Sequence, residues 1–150
     1  MRIIDATRRS AVAVTADRPI NQVAQLMEDA TVGAVVVVDG DQPVGIVTDR
    51  DLVRRALARG LDGAARVDGV MSAPIVTIGA DEDLRRAYQA FSANEVRRLV
   101  IVDDGGRFVG ILSVDDLVMD LAADLAAIAG PISAEVLFGH HEVPLPATIP

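Results

Sequence analysis

The sequence contains one pattern twice. The stretch GIVTDRDLV, from Gly45 to Val53, returns as GILSVDDLV, from Gly110 to Val118, at an offset of 65 residues. Upstream of these stretches, ADRPINQVAQLM and ADEDLRRAYQAF align at an offset of 64, and a longer loop in the second copy accounts for the extra residue. Because self-similarity at a fixed period marks a repeated structural unit, most of this chain is expected to fold as two similar halves.

Each copy carries the same order of predicted elements. A short strand, near residues 12–14 and 75–78, precedes a helix whose apolar residues follow the i, i+3, i+4, i+7 spacing of one face. Asp17 and Asp81 stand where the N-caps of these helices are expected. Two β-branched runs around a turn rich in Gly and Asp then predict a hairpin, and a second helix follows it. The predicted fold class is α+β, with two tandem β-α-β-β-α repeats.

The repeat suggests where the chain divides. We expect the first repeat in residues 1–60, a linker with a short helical turn in 61–70, the second repeat in 71–130 and a tail in 131–150. The last helix, from Asp115, is expected to stop at Gly130 and Pro131. The tail has no counterpart in the first half, so we expect a short docked segment followed by a mobile terminus.

Composition excludes several classes of function. Half of the 150 residues are apolar, which is enough for a core, whereas the net charge of −8 opposes binding to DNA or RNA. The chain has no cysteine, so disulfides and thiolate metal sites are excluded. No apolar run is long enough to span a bilayer, and the start MRIIDATRRS is too short and too polar for a secretory signal. A cytoplasmic protein that does not enter membranes is expected.

Catalytic and metal-binding residues are not recognisable in the sequence. No nucleophile with a partner base and no nucleophile elbow can be found, so the chain is not expected to be an enzyme. His140 and His141 are adjacent in the tail without a suitably spaced third ligand, and we interpret them as surface residues. No metal is expected.

The repeated turn has two chemical interpretations. Thr48 and Ser113 end a strand and open a helix, and Asp51 and Asp116 follow three residues later, which is the spacing of a capping box. A helix N-terminus also offers free amides to a phosphate, the hydroxyl can add a bond, and the carboxylate can accept from both hydroxyls of a ribose. Gly45, early in the strand, and its counterpart could let a backbone or a flat ligand approach. The motif therefore fits either a helix cap or a nucleotide site.

The two motifs resemble the nucleotide signature G-h-h-[ST]-x-x-D of the CBS domain family, in which h is apolar, and the chain resembles its tandem form from about residue 8 to 125. The resemblance implies that the repeats pack through their sheets about a pseudo-twofold axis. It also implies two clefts that hold AMP, ADP, ATP or S-adenosylmethionine. Such modules commonly associate into flat dimers, so a small-molecule nucleotide and a second copy of the chain are the expected partners, together with an unidentified regulated protein.

The resemblance also implies roles for individual residues. Asp51 and Asp116 would bind ribose, and Thr48 and Ser113 would contact phosphate. The strand RRLVIVD resembles the family's HRLPVVD, whose leading basic residues grip phosphates, so Arg97 and Arg98 would do so here. The backbone at the start of the first strand of each repeat would contact adenine, at Ser10, Ala11 and Val12 and at Pro74, Ile75 and Val76.

The two halves differ where charge matters. The first half has Gly33 and Ala34 where the second has its arginine pair, so the two clefts are expected to be unequal. Arg50, inside the first motif, either restores part of this positive charge or is a solvated residue at the helix start. The main functional hypothesis is a stand-alone module that senses an adenine nucleotide and signals by conformational change. The alternative is a ligand-free dimerisation module that keeps the motif for its caps.

Overall fold

The computed structural model describes residues 1–7 and 11–138, with side chains described as far as residue 132. Residues 1–116 form one compact unit and the chain from residue 117 onward forms another. The first repeat comprises β1 (Ala13–Thr15), α1 (Ile20–Ala30), β2 (Ala34–Asp39), β3 (Gln42–Thr48) and α2. Helix α2 starts at Asp49–Asp51, continues as a π-helical turn, Leu52–Ala56, and ends in a 3-10 turn, Leu57–Arg59. The second repeat comprises β4 (Thr77–Gly79), α3 (Leu84–Asn94), β5 (Arg98–Val102), β6 (Phe108–Ser113) and α4 (Val114–Phe138).

Each repeat contains a three-stranded sheet with the same topology. In the first sheet β2 lies between β1, which runs parallel to it, and β3, which runs antiparallel, and in the second sheet β5 takes the central place between β4 and β6. The register of each antiparallel pair shifts at the same place, just after Val37 and just after Ile101. The predicted α+β fold with two tandem β-α-β-β-α repeats is confirmed.

The central strands are buried on both faces. Val35 and Val37 pack with α1 in the core of the first repeat, and Val36, which alternates to the other face, is equally inaccessible to solvent. Val100 holds the same position between Leu99 and Ile101. Near-continuous β-branched runs are what such doubly covered strands need, because neither face can carry a solvated side chain.

The repeats exchange their opening turns. A 3-10 turn at Ile3–Ala6 contacts α3 and β6 of the second repeat, and the amide of Ile3 donates to the carbonyl of Glu82 at 2.9 Å. The matching 3-10 turn, Val67–Gly69, lies 64 residues later and its Val67 is part of the core of the first repeat. Residues expected as a linker therefore contribute to a core, because burial of a short apolar turn depends on tertiary contacts that local composition does not reveal.

A residue shortly after each exchanged turn lies next to a glycine of the repeated motif. A Cβ on Gly45 would overlap the side chain of Met71, and a Cβ on Gly110 would lie 3.9 Å from Cγ2 of Thr7 and 3.4 Å from Cδ1 of Ile101. Of the two expected neighbours of Gly45, a chain segment is the one that approaches: Met71 fills the space, and the next residue, Ser72, pairs with Ile46 through backbone hydrogen bonds.

Two expectations about helix ends are wrong. The N-caps are Pro19 and Asp83, two residues beyond Asp17 and Asp81, and only Asp83 caps with its side chain, accepting from the amide of Arg85 at 2.9 Å. Asp17 instead accepts from the hydroxyl of Thr15 at 2.7 Å, and this bond is the main cause that lowers the pKa of Asp17.

The last helix continues through Gly130 and Pro131 to Phe138, past the stop expected from the sequence. Proline removes one backbone hydrogen bond from a helix, and because residues 121–132 are exposed, water can hydrate the carbonyl that loses its partner. The described helices include none that is both long and apolar enough to cross a membrane. Residues 139–150, which include His140, His141 and the predicted mobile terminus, lie outside the described part of the chain.

Candidate functional site

Both copies of the repeated motif form capping boxes. The amide of Asp51 donates to Oγ1 of Thr48 at 3.1 Å, and the amide of Thr48 donates to Oδ2 of Asp51 at 2.9 Å. In the second copy the amides of Asp116 and Ser113 make the equivalent bonds, each at 3.1 Å. The cap interpretation of the motif is therefore realised at both helix starts, where reciprocal bonds satisfy otherwise unpaired amides.

The caps leave one carboxylate oxygen of each aspartate available. Oδ2 of Asp51 makes the cap bond, while Oδ1 lies 3.8 Å from Nε of Arg55, too far for a hydrogen bond. In Asp116, Oδ2 takes both the amide and the hydroxyl of Ser113. Both aspartates are half-buried, so the remaining oxygen of each can accept a bond from a ligand while the cap stays intact.

Each motif opens into a cleft that it shares with the other repeat. Cleft A, of about 260 Å³, joins Thr48 and Asp51 of the first repeat to the start of β4 and the start of β5 in the second. Its other lining residues are Ile46, Ser72, Pro74, Ile75, Val76, Val96, Arg97, Arg98 and Val100. The apolar members of this lining give a surface suited to the flat face of a base.

Cleft B, of about 100 Å³, is the symmetry-related counterpart. It joins Ser113 and Asp116 of the second repeat to Ala11 and the segment before β2 in the first. The remaining lining residues are Val32, Gly33, Ala34, Arg98, Ile111 and Asp115. Val32, Gly33 and Ala34 occupy the positions that Val96, Arg97 and Arg98 occupy in cleft A, 64 residues later.

The described residues that line the two clefts differ in charge. In cleft A one acid, Asp51, faces two arginines, whereas in cleft B the described lining has two acids, Asp115 and Asp116, and one arginine, which it shares with cleft A. That shared residue is Arg98, which is half-buried and has no ion pair or side-chain hydrogen bond within the described residues. An unpaired guanidinium held between two clefts is positioned to bind an anion.

The other predicted residues lie as follows. Arg97 is exposed and donates to Oδ1 of Asp115 at 3.3 Å. Arg50 is exposed and lines neither cleft. The carbonyls of Val12 and Val76, at equivalent places before the parallel strands, accept from the amides of Val36 and Val100. Ser10 lies outside the described residues.

Sequence reasoning missed the way in which these residues are combined. It expected unequal clefts without saying which motif Arg97 and Arg98 would join. Both arginines line the cleft of Thr48 and Asp51, and Arg98 also lines that of Ser113 and Asp116. The signal was present in the repeat, because two copies related by a twofold axis bring the motif of one to the strand start of the other. Which arginine reaches both clefts depends on side-chain placement, which spacing along the chain does not define.

The fold defines a two-repeat module with paired clefts, and comparison with known proteins identifies its family. The CBS domain model matches residues 3–58 and 67–123, so this chain belongs to the CBS domain family. The CBS domain-containing protein YhcV of Bacillus subtilis is 33% identical over 123 residues, which cover 82% of this chain and 87% of YhcV. The uncharacterized protein MK0525 of Methanopyrus kandleri is 30% identical over 115 residues, covering 75% of this chain but only 59% of that protein.

A solved structure of a related protein has a bound nucleotide. The CBS domain protein PAE2072 from Pyrobaculum aerophilum, in complex with AMP, superposes with a TM-score of 0.70 at 26% identity. The superposition covers 82% of this chain and 99% of that one. Within the part of the chain that the structure describes, no group of three or more His, Cys, Asp or Glu side chains is placed to hold a metal ion.

Proposed function

We propose that this protein is a regulatory module that binds an adenine nucleotide, chiefly in cleft A, and signals through a change in the arrangement of its repeats. The observation that carries the proposal is that cleft A brings a capping aspartate with a free oxygen together with two arginines and an apolar wall. The AMP complex of PAE2072, a protein with the same fold and 26% identity, supports the choice of an adenine nucleotide.

The lining residues of cleft A suggest how a nucleotide would be held. Oδ1 of Asp51 would accept from the ribose hydroxyls, and the backbone of Pro74 to Val76 would contact adenine between apolar neighbours. Phosphate would meet Thr48 and the guanidinium of Arg98, with Arg97 close enough to join after leaving Asp115. Bonds of this charge-assisted kind are the strong contributors to phosphate recognition.

Cleft A is the better site for a phosphate because of the charges that line it. Among the described lining residues, two arginines face one acid in cleft A, whereas two acids face the shared arginine in cleft B. We therefore propose that Ser113, Asp116 and the backbone near Ser10, Ala11 and Val12 form the weaker of two sites.

Calorimetric titration with AMP, ADP, ATP and S-adenosylmethionine tests this function. Ligand at a hundredfold excess over its dissociation constant should stabilise the folded protein by about 2.7 kcal/mol and raise its melting temperature by about 5–10 °C. Asp51→Ala should weaken the strongest ligand about tenfold or more, because a charge-assisted bond to ribose is lost. Asp116→Ala removes an equivalent cap and is the matched control, so it should leave that affinity within about threefold.

Two results would contradict the proposal. If none of the four compounds at millimolar concentration changes either the heat signal or the melting temperature, the protein does not bind adenine nucleotides. If a compound binds but Asp51→Ala and Asp116→Ala affect it equally, cleft A is not the dominant site. In the first case the alternative function, a ligand-free dimerisation module with capping boxes, becomes the better account of the repeat.

We further propose that the protein is a homodimer, because apolar faces of its helices are exposed. From the second helix of each repeat we expect some apolar residues in the core and others in the dimer interface: Ala56 and Leu117 are buried, whereas Val53 is more than half exposed. Along α4, apolar side chains that are each more than half exposed recur with alternating steps of three and four, at Val118, Leu121, Leu125, Ile128 and Ile132. This heptad seam is the pattern by which two helices pack together, and a second copy of α4 is its natural partner.

The charges of α4 favour an antiparallel pair. Asp115, Asp116, Asp120 and Asp124 all lie in its first half, and residues 125–132 carry no charge. A parallel pair would bring the two acidic halves together, whereas an antiparallel pair sets the four acids of each first half beside a second half whose one acid is Glu135. The twofold symmetry of such an arrangement is that of most homodimers.

A further inference from the structure

The two clefts are connected by two arginines. Arg98 lines cleft A and cleft B together, and it has no other ion-pair partner in the described ranges. Arg97 lines cleft A and donates to Oδ1 of Asp115, which lines cleft B, at 3.3 Å. An anion that binds an arginine from one cleft therefore changes the charge available in the other cleft.

We propose that the two clefts are negatively coupled for anionic ligands, so that a phosphate-bearing nucleotide in cleft A weakens the binding of a second one in cleft B. The proposal rests on the nucleotide-binding function above and adds its regulation. Its physical basis is the competition for Arg98, together with the release of Asp115 when the phosphate draws Arg97 away. Coupling of this kind is reciprocal, so a nucleotide forced into cleft B would weaken cleft A by the same factor.

The charges of cleft B explain the sign of the coupling. With cleft A empty, Arg98 can turn towards Asp115 and Asp116, and Arg97 neutralises part of the charge of Asp115. With a phosphate in cleft A, both guanidiniums pair with it, and the two acids of cleft B lose the counter-charge of these two arginines. A second phosphate then meets two acids that have lost these partners and a negative neighbour, so its binding is opposed twice.

Uncharged ligands should escape the coupling. Adenosine offers the same base and ribose to Asp116 and to the backbone near Ala11 but carries no phosphate. Filling cleft A with AMP should therefore leave adenosine binding in cleft B almost unchanged. This difference separates an electrostatic coupling from a steric one, in which any ligand in cleft A would close cleft B.

The first test compares cleft B in two states of cleft A. In the unmutated protein, AMP should bind one tight site and a second site that is weaker by at least tenfold, a factor within the usual range for coupled sites. In Asp51→Ala, where cleft A is impaired, cleft B should bind AMP about fivefold to tenfold more tightly than that second site. Raising the salt concentration should reduce the difference, since part of it is carried by exposed charges.

The second test alters the connection and leaves the contacts of cleft A in place. Asp115→Asn removes one acid from cleft B and frees Arg97, and the side chain of Asp115 is 70% exposed, so the fold should tolerate the change. Binding of the second AMP should improve at least fivefold. Asp104→Asn, an equal change of charge at an exposed loop residue outside both clefts, is the matched control and should leave it unchanged.

The outcomes distinguish this proposal from the function on which it rests. Two AMP sites of equal and independent affinity in the unmutated protein would overturn the coupling and leave nucleotide binding established. The same holds if Asp115→Asn and Asp104→Asn behave alike, or if AMP in cleft A excludes adenosine as well. Failure of AMP to bind at any concentration would overturn both proposals.

Discussion

At the scale of single residues, the repeated aspartates combine two roles that the sequence presents as alternatives. Oδ2 of Asp51 accepts from the amide of Thr48, and among the described residues Oδ1 makes only an ion pair with Nε of Arg55 at 3.8 Å. A carboxylate has lone pairs enough for a cap and a ligand together. The motif could be found from spacing alone because a helix start of this kind is local. Its combination with Arg98 could not be found, because the two residues meet only through the packing of the repeats.

The two motif glycines provide a residue-level prediction with an internal control. Gly45→Ala should lower the free energy of unfolding by about 1–2 kcal/mol, because the new methyl group overlaps Met71 and forces it to move. For a chain of this size the melting temperature should fall by about 2–8 °C. Gly110→Ala should cost less than half as much, since its methyl group would meet only Ile101 and Thr7 at ordinary contact distances.

Thermal and urea unfolding of both variants measure the difference. Met71→Ala in the Gly45→Ala background should restore part of the lost stability, beyond what the two single changes predict by addition. Equal melting temperatures for the two glycine variants would show that Met71 does not limit the space at Gly45.

At the scale of elements, the amphipathic helices α1 and α3 are each followed by a non-glycine residue in a left-handed backbone conformation. Thr31 follows α1 with a φ of 53°, and Glu95 follows α3 with a φ of 52°, in the left-handed region that favours glycine. The existence and phase of α1 and α3 were predictable because their apolar spacing is regular. The exact starts of these helices were not predictable, because the side chains of Asp17 and Asp81 accept hydrogen bonds from Thr15 and Arg2 instead of capping the helices.

Thr31→Gly should therefore stabilise the protein. A β-branched residue in the left-handed region is strained by roughly 1 kcal/mol, and glycine relieves this strain at the cost of a more flexible unfolded chain. We expect a net gain of about 0.5 kcal/mol in urea unfolding. Glu28→Gly, an exposed residue inside α1, controls for that flexibility and should destabilise the protein by about 1 kcal/mol. A loss of stability in both variants would show that Thr31 is not strained.

At the scale of the whole molecule, two nearly equal halves produce unequal clefts. The inequality comes from two places in the repeat: Gly33 and Ala34 correspond to Arg97 and Arg98, and Arg50 corresponds to Asp115. The fold class and the repeat were predictable because both depend on patterns that recur within the chain. The exchange of the turns at Ile3–Ala6 and Val67–Gly69 was not predictable, because nothing in a three-residue or four-residue apolar turn indicates which half will bury it.

The heptad seam of α4 provides a prediction about assembly. Leu125→Lys, at the centre of the seam, should shift the protein from dimer to monomer in light scattering at tens of micromolar, because two buried lysines would face each other across the twofold axis. Ala126→Lys lies beside it on the same exposed helix but off the seam, and should leave the dimer intact. A monomeric mass for the unmutated protein, or an unchanged dimer in Leu125→Lys, would contradict the proposed interface.

The exchanged turns mean that no single cut can divide this chain into two self-sufficient halves. A fragment that ends before Val67 loses a residue of its own core and keeps Ile3–Ala6, whose place is in the missing half. Such a fragment could bury its surfaces only by pairing with another molecule that supplies the absent turn. During synthesis the turn Ile3–Ala6 likewise cannot form its native contacts until Glu82 and its neighbours have been synthesised. In its connectivity the tandem chain is thus a dimer of single repeats joined head to tail, each repeat completed by the other.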